Sequence, residues 1–358
     1  MASSLWLLLA CVVAVNARQI TLQTYNVGLN PRVDNMEIRK DAVVPELRHN
    51  GSDVVCLQEI WRSGDVQHII ESLRDIYPYS LSPLHDQMGN FQYRTFWPPC
   101  FSWAAMSFAT CALTYCRNEP TEEDVVRCVV SCGFVDVSRE CISCVVIGGT
   151  FAALRGCVYG FGYNYNPQGL LLLSKRPLTD GSVTDYFPGT KTIAQRSYVK
   201  AEVEDFGPVV CTHMTSYLGD FYLEPSLMDR FRGWADQSQY EASVLISLFY
   251  RNRKGVIMGD LNTSPGLPRR GVFPHMADSY NEFLYGHWSS PFVDRVGACT
   301  FCKDNVLTFD NESWILDHVL SKGHSIIDSK LLHTANIDGQ EFPVSDHYGV
   351  EVTFDDDI

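Results

Sequence analysis

The stretch Gly259-Asp260-Leu261-Asn262-Thr263-Ser264-Pro265 follows three apolar residues, Val256, Ile257 and Met258. It reads as a buried strand that ends abruptly in a turn. Period-two geometry puts Asp260 and Asn262 on the same side of the strand end. One is an anionic acceptor and the other a neutral donor and acceptor, a pair that can orient a water and hold a phosphoryl oxygen. Asp-x-Asn beside proline also describes many ordinary turns, so the pair gains meaning only from its surroundings.

The same kind of ending recurs along the chain. An alternating strand from Gln19 runs into Asn26, and the apolar run Asp53 to Gln58 ends on Glu59. Val209 to His213 ends on a histidine, and Trp314 to Leu320 carries Asp317. Asp346 and His347 lead into a last strand, Val350 to Phe354. Gly169 to Ser174 and Tyr198 to Val203 read as further strands. Helices are expected over 36–48 with a kink at Pro45, over 65–77, and over 227–250. Strands and helices mix without strict βαβ alternation. The expected class is α+β, with stacked sheets flanked by helices.

Each polar residue has an ordinary reading on its own. Asn26 and Asn262 suit turns, Glu59 a helix cap, His213 a core histidine, and Asp317 an acceptor for backbone groups. So many at strand ends is hard to explain by turns alone, because burying unpaired charge is costly. As a set they suit phosphate-ester hydrolysis. A lone carboxylate with an amide and waters suits Mg²⁺, with Glu59 the candidate ligand and Asn26 its helper. His347 is the candidate general base, and Asp317 would fix its tautomer. Asp260 would orient the attacking water, and Asn262 and His213 would contact the phosphate.

The chain has 358 residues, 46% of them hydrophobic, and a formal charge of -14. That length suits one large domain or two small ones. The acidity counts against a surface-wide attraction to DNA or anionic lipid, although a basic patch or bound cation can invert the field locally. Leu5 to Val15 is almost wholly apolar and precedes Val15-Asn16-Ala17, which reads as a secretory signal cleaved after Ala17. The protein is therefore expected to be secreted. Of 13 cysteines, eight fall between Cys100 and Cys157. In a secreted chain that density means disulfides, ahead of a zinc site on Cys141 and Cys144. Residues 97–160 read as a cysteine-rich helical insertion, with Cys128 and Cys132 facing Cys141 and Cys144 across a stapled helical hairpin. The catalytic unit is then 18–96 with 161–358. Cys299 and Cys302 are expected to close a tight loop, and Cys56 and Cys211 to be buried free thiols. Asn50-Gly51-Ser52 and Asn311-Glu312-Ser313 are glycosylation sequons.

With these residues in hand, the sequence resembles the endonuclease/exonuclease/phosphatase superfamily, the deoxyribonuclease I-like fold. The matching blocks are Thr24-Tyr25-Asn26, Leu57-Gln58-Glu59, Thr212-His213, Gly259-Asp260-Leu261-Asn262, Leu316-Asp317-His318 and Ser345-Asp346-His347. They stand in the family's order over Ile20 to Phe354, apart from the insertion. The resemblance implies a four-layer α/β/β/α sandwich that hydrolyses phosphate esters with a divalent metal, Mg²⁺ or alternatively Mn²⁺. It also implies that Glu59 and Asn26 hold the metal, that Asp346 holds metal-bound water or a second metal, and that Asp317 and His347 form a dyad. The block Gly169 to Pro177, Tyr198-Val199-Lys200 and Ser345 to Tyr348 are most similar to the secreted neutral sphingomyelinases (sphingomyelinase C). Two departures are the insertion and His318, which stands where that branch has tyrosine.

A phospholipid substrate at a membrane surface is the partner this implies. Trp97, Phe101, Trp103 and Phe108 would either dock the insertion on lipid or form its own small core. The rival activity is a deoxyribonuclease-like nuclease, the one reading with a nucleic-acid partner. It needs cations along a groove, and Arg269, Arg270, Lys191 and Arg196 are few and scattered. A third reading is a catalytically silent binding module on the same scaffold.

Overall fold

The computed structural model describes residues 19–85, 98–116, 118–148, 156–159, 165–222, 224, 226–308 and 310–356. Among them, one sheet has six strands and the other five. The first contains β1 (Gln19–Asn26), β2 (Val54–Gln58), β3 (Tyr79–Leu81), β4 (Leu171–Ser174), β10 (Ile326–Leu332) and β11 (Gly349–Asp355), in the order β10-β11-β1-β2-β4-β3. The second runs β5 (Leu178–Asp185), β6 (Ser197–Val203), β7 (Gly207–His213), β8 (Gly255–Asp260), β9 (Asp317–Lys322) in sequence order.

Side-chain alternation decides the layering. Leu170, Leu172, Ile20, Leu22 and Cys56 of the first sheet pack with Val199, Val209, Cys211, Val256 and Met258 of the second. Their neighbours Leu171, Leu173, Val55 and Leu57 face outward, onto Val43 and Leu47 of α1 (Met36–Asn50) and Val66 and Ile69 of α2 (Ser63–Ser72). Val210, Ile257 and Leu320 likewise face Ala242 and Leu245 of α6 (Trp234–Ser247) and Phe283 of α7 (Ala277–Tyr285). Each fully buried leucine contributes about 1.5–3 kcal/mol. The result is the four-layer sandwich expected from the sequence.

Strand direction gathers the polar ends. β1 and β2 are parallel, with Asn26 opposite Gln58, and β7 and β8 are parallel, with His213 opposite Asp260. Those four strands end at one rim. β9 and β11 run antiparallel to their neighbours, so they begin there, with Asp317 opposite Asp260. Gly259 makes this close pairing possible. A Cβ on it would lie 2.1 Å from the Thr212 carbonyl oxygen.

Residues 98–159 form a separate small core where described. Helices α3 (Trp103–Cys111), α4 (Glu122–Ser131) and α5 (Arg139–Gly148) bury Phe108, Val125, Val129 and Ile142. Ile193 and Trp234 join that core from the sandwich. Cys111–Cys132 and Cys116–Cys128 staple α3 and the turn after it to α4, while Cys100–Cys141 and Cys144–Cys157 hold α5. So Cys128 and Cys132 pair with the preceding helix and not with Cys141 and Cys144. Phe108 belongs to the insertion's core, whereas Phe101 and Trp103 are exposed; Trp97 lies outside the described residues.

Other expectations are corrected. Cys56 and Cys211 form a disulfide, because each points inward from a facing sheet and their Cα atoms lie 5.3 Å apart. Cys299 and Cys302 pair as expected. The helix expected over 227–250 begins at Trp234, since Gly233 is extended and residues 226–230 turn; Leu227 and Phe231 still bury in the same core. The strand expected at Trp314 begins at Asp317, because Trp314 instead pairs with Phe301. Helix α1 is continuous through Pro45. The apolar pattern does not mark β3, β5 and β10, because all three are edge strands with mostly exposed or half-buried residues.

The Cys56–Cys211 bond closes a 155-residue separation between the two sheets. Replacing both with alanine should lower unfolding free energy by about 2–4 kcal/mol and leave the fold unchanged. Denaturant titration with a far-ultraviolet circular dichroism spectrum checks this; an unchanged midpoint would refute it.

Candidate active site

Asn26 joins the two sheets at the rim. Its Nδ2 donates to Glu59 Oε1 at 3.2 Å and to Asp260 Oδ2 at 2.9 Å, and its Oδ1 accepts from the Gly28 amide at 3.0 Å. Glu59 follows β2 in a left-handed conformation, φ 60, and its other oxygen accepts from Trp61 Nε1 at 3.3 Å. For a glutamate that conformation costs about 1–3 kcal/mol, which the surrounding contacts must offset. Asn262, φ 49, is better suited to it. The Asn262 amide nitrogen donates to the Asp260 carboxylate at 2.9 Å, and one side-chain proton goes to Met214 O at 2.9 Å. Its second Nδ2 proton remains for a ligand.

His347 lies against Asp317 on one side and Asp260 on the other. Its Nδ1 is 2.8 Å from Asp317 Oδ2, and its Nε2 is 3.9 Å from Asp260 Oδ2. Asp317 is fully buried at the start of β9, with its amide bonded to Thr300 Oγ1. Since Asp317 accepts, the neutral imidazole keeps its proton on Nδ1 and presents Nε2 as the acceptor. Burial works to lower the His347 pKa, but the charge and hydrogen bond of Asp317, with Asp260 and Asp346, carry it well above its ordinary value. His213 Nε2 is 3.4 Å from Asp260 Oδ2. Burial, then Arg196 and His347, hold the His213 imidazole well below its ordinary range, so it is neutral. Burial and the neighbouring Asp317 push the Asp260 carboxyl up to about 7.

All eight candidate residues thus stand at one rim. Asp346 joins through Ser345, whose hydroxyl donates to Asn26 O at 2.7 Å and lies 3.1 Å from Asp346 Oδ1. His318 turns away. Its Nε2 faces the carbonyls of Thr263 and Ile315 at 2.8 and 2.9 Å, so it fills a buried packing position.

The sequence matches the endonuclease/exonuclease/phosphatase family profile over residues 24–347. The chain belongs to this family. Its fold is shared with solved structures at low identity. An endonuclease/exonuclease/phosphatase from Beutenbergia cavernae is 14% identical with a TM-score of 0.54, covering 94% of this chain and 72% of that one. Sphingomyelinase C from Streptomyces griseocarneus is 14% identical with a TM-score of 0.52, covering 94% and 99%. Truncated Caenorhabditis elegans TDP2 is 12% identical with a TM-score of 0.51, covering 94% and 97%. No curated protein sequence matches the chain. Members of the endonuclease/exonuclease/phosphatase family are hydrolases of phosphodiester bonds and generally use divalent metal ions.

The rim fits such an ion. Burial and the charge of Asp346 raise the Glu59 carboxyl pKa, and neither carboxylate forms an ion pair with lysine or arginine among the described residues. Two carboxylates and an amide oxygen make an all-oxygen set for a hard divalent cation. Gly28 leaves room for the Asp346 carboxylate, since a Cβ there would lie 2.3 Å from Asp346 Oδ1. The atoms of Asp260, Asp317 and His347 also come within 4.8 Å of one another. That cluster reads better as the acid–base group, because the Asp317 bond already occupies Nδ1.

Sequence reasoning missed Arg39. It is fully buried in α1 and donates to the carbonyls of Val27, Gly28, Val33, Asp34 and Val344. It thereby ties the loop after Asn26 to the segment before Ser345. A charged residue on a helix normally reads as solvent-facing, and with Glu37, Lys40 and Asp41 around it nothing local marks Arg39 as buried.

Asp317→Asn should reduce kcat on bis(p-nitrophenyl) phosphate by about 10²–10⁴-fold, as an asparagine favours the wrong tautomer. Because Asp317 raises the His347 pKa, removing it should also move the acid limb of the pH–rate profile to lower pH. A normal rate with an unmoved limb would exclude the dyad.

Proposed function

We propose that the chain is a secreted, Mg²⁺-dependent phosphodiesterase that hydrolyses sphingomyelin to ceramide and phosphocholine. The observation that carries the lipid reading is the surface of the cysteine-rich segment. Residues 98–116 contain no Asp, Glu, Lys or Arg. On this stretch Phe101, Trp103 and Tyr115 are 61%, 86% and 71% exposed. An uncharged aromatic surface suits a zwitterionic lipid interface and lacks the cations that a nucleic-acid backbone requires. The insertion also borders the catalytic loops. Gln195 donates to Ser143 Oγ at 3.2 Å, and Asp220 N to Glu123 Oε2 at 3.0 Å. Those two loops precede β6 and follow His213. All twelve cysteines outside the expected signal segment are paired, which supports an oxidising compartment.

Glu59, Asn26 and Asp346 would hold the cation, which when bound would neutralise phosphoryl charge and stabilise the leaving oxygen. The chain's own groups do the rest. His347 Nε2 takes the proton of the attacking water, and Asp317 steadies the imidazolium that results. The 3.9 Å gap between Nε2 and Asp260 Oδ2 leaves a bridging position for that water, which Asp260 orients. Asn262 donates its remaining Nδ2 proton to a phosphoryl oxygen, and neutral His213 contacts the same group.

Purified protein with Mg²⁺ should release phosphocholine from sphingomyelin liposomes, and His347→Ala should abolish release. DNA nicking with no phosphocholine release would overturn the reading in favour of a nuclease; inactivity on sphingomyelin, phosphoinositides and plasmid DNA would favour a silent scaffold. Phe101→Ser with Trp103→Ser should reduce co-sedimentation with sphingomyelin liposomes several-fold and leave bis(p-nitrophenyl) phosphate turnover unchanged. Undiminished binding by the folded double variant would exclude this surface as the dock.

A further inference from the structure

Arg196 is a buried cation whose partner is missing. It is 9% exposed, stands one residue before β6, and its Nη2 donates to Ser216 Oγ at 3.3 Å. Among the described residues its Nη1 is buried with no hydrogen-bond partner and the guanidinium makes no ion pair, although the buried carboxylates of Glu59, Glu224 and Glu241 feel its charge. Burying a charge without a counter-charge is costly, and an arginine fork is built for oxyanions.

The register places this group at the catalytic rim. Ser197 is opposite His213, so Arg196 lies one step beyond that pair. Its backbone is held there, since Tyr186 N donates to Arg196 O at 3.1 Å and the preceding Gln195 is tethered to the insertion. Arg196 acts electrostatically on His213 and Glu59, one on each sheet, as well as on the buried Glu224 and Glu241. Among these neighbours, His213 has an unpartnered buried Nδ1, which adds a second polar atom with no protein partner at the same place.

We propose that Arg196 grips the substrate's phosphate: its guanidinium donates to a non-bridging oxygen of the scissile diester. This rests on the phosphodiesterase reading for the identity of the anion, though not on the choice of lipid. It gives the insertion a second part in the site, because Ser143 of α5 secures the loop that aims the guanidinium. It also explains why a rim of acidic residues keeps one cation without a carboxylate partner.

Inorganic phosphate is the probe. Binding to the full-length, Mg²⁺-loaded chain would be followed by calorimetry and by thermal shift, for wild type, Arg196→Gln, Arg196→Lys and the exposed charge control Arg269→Gln. Arg196→Gln should weaken phosphate by about tenfold or more, as loss of a charge-assisted hydrogen bond does. Arg196→Lys should lose less, and Arg269→Gln should match wild type. Melting temperatures without phosphate read any purely structural role separately. If Arg196→Gln does not fold, the lysine variant, which keeps the charge, carries the test. Wild-type affinity in either folded Arg196 variant overturns the proposal. So does equal weakening in Arg269→Gln, or a wild type that binds no phosphate. Sphingomyelin turnover is scored independently: phosphate binding lost in the variant of a protein inactive on lipid would sink the lipid reading and leave Arg196 in place.

Discussion

One amide group holds the site together. Asn26 ends a strand of the first sheet, yet its Nδ2 donates both to Glu59 beside it and to Asp260 of the facing sheet. Two sheets packed through apolar side chains can slide at modest cost, because the hydrophobic contribution has no direction. A hydrogen bond between a buried amide and a buried carboxylate is directional and is lost with small displacements. The amide therefore sets the spacing between the proposed metal side, at Glu59, and the proposed water and phosphate side, at Asp260. Ser345 extends the same connection by donating to the Asn26 carbonyl.

This rim is electrostatically unfavourable in isolation. Glu59, Asp260 and Asp317 are brought together at low solvent exposure, and burial raises the first two. The fold tolerates this because rigid groups surround them. Arg39 spends its donors on five backbone carbonyls and so freezes two adjoining loops. Thr300 caps the start of β9 through the amides of Leu316 and Asp317. The Cys56–Cys211 bond crosses the core between β2 and β7, the strands that lead to Glu59 and His213. Preorganised charge of this kind is a usual feature of sites that stabilise charge developing in a transition state.

The insertion obeys a different economy. Its core is small, and small cores need covalent staples. Four disulfides supply them. With its interior held this way, the segment can carry Trp103 of α3, with Phe101 before it and Tyr115 after it, as exposed aromatic residues. Two hydrogen bonds tie it to the loops before β6 and after His213.

The alternation of Leu170 to Leu173, the apolar runs into Asn26, Glu59, His213 and Asp260, and the Asp317 and His347 blocks were legible along the chain, since strand period and strand-end chemistry are local properties. So was the layered class. The sequence by itself determined which faces are apolar and which polar groups sit at strand ends. Only the tertiary structure decided what those groups meet. Cys56 and Cys211 are far apart in sequence, and nothing local distinguishes a buried thiol from half of a disulfide; facing sheets do. Gly233 cut an apparent helix that apolar spacing alone could not divide, because Leu227 and Phe231 bury equally well from a turn. Arg39 and Arg196 look like surface cations in one dimension. Their burial, one saturated with carbonyls and the other left with an empty donor, is fixed by packing between distant segments, which is a property of the folded chain and not of any stretch of it.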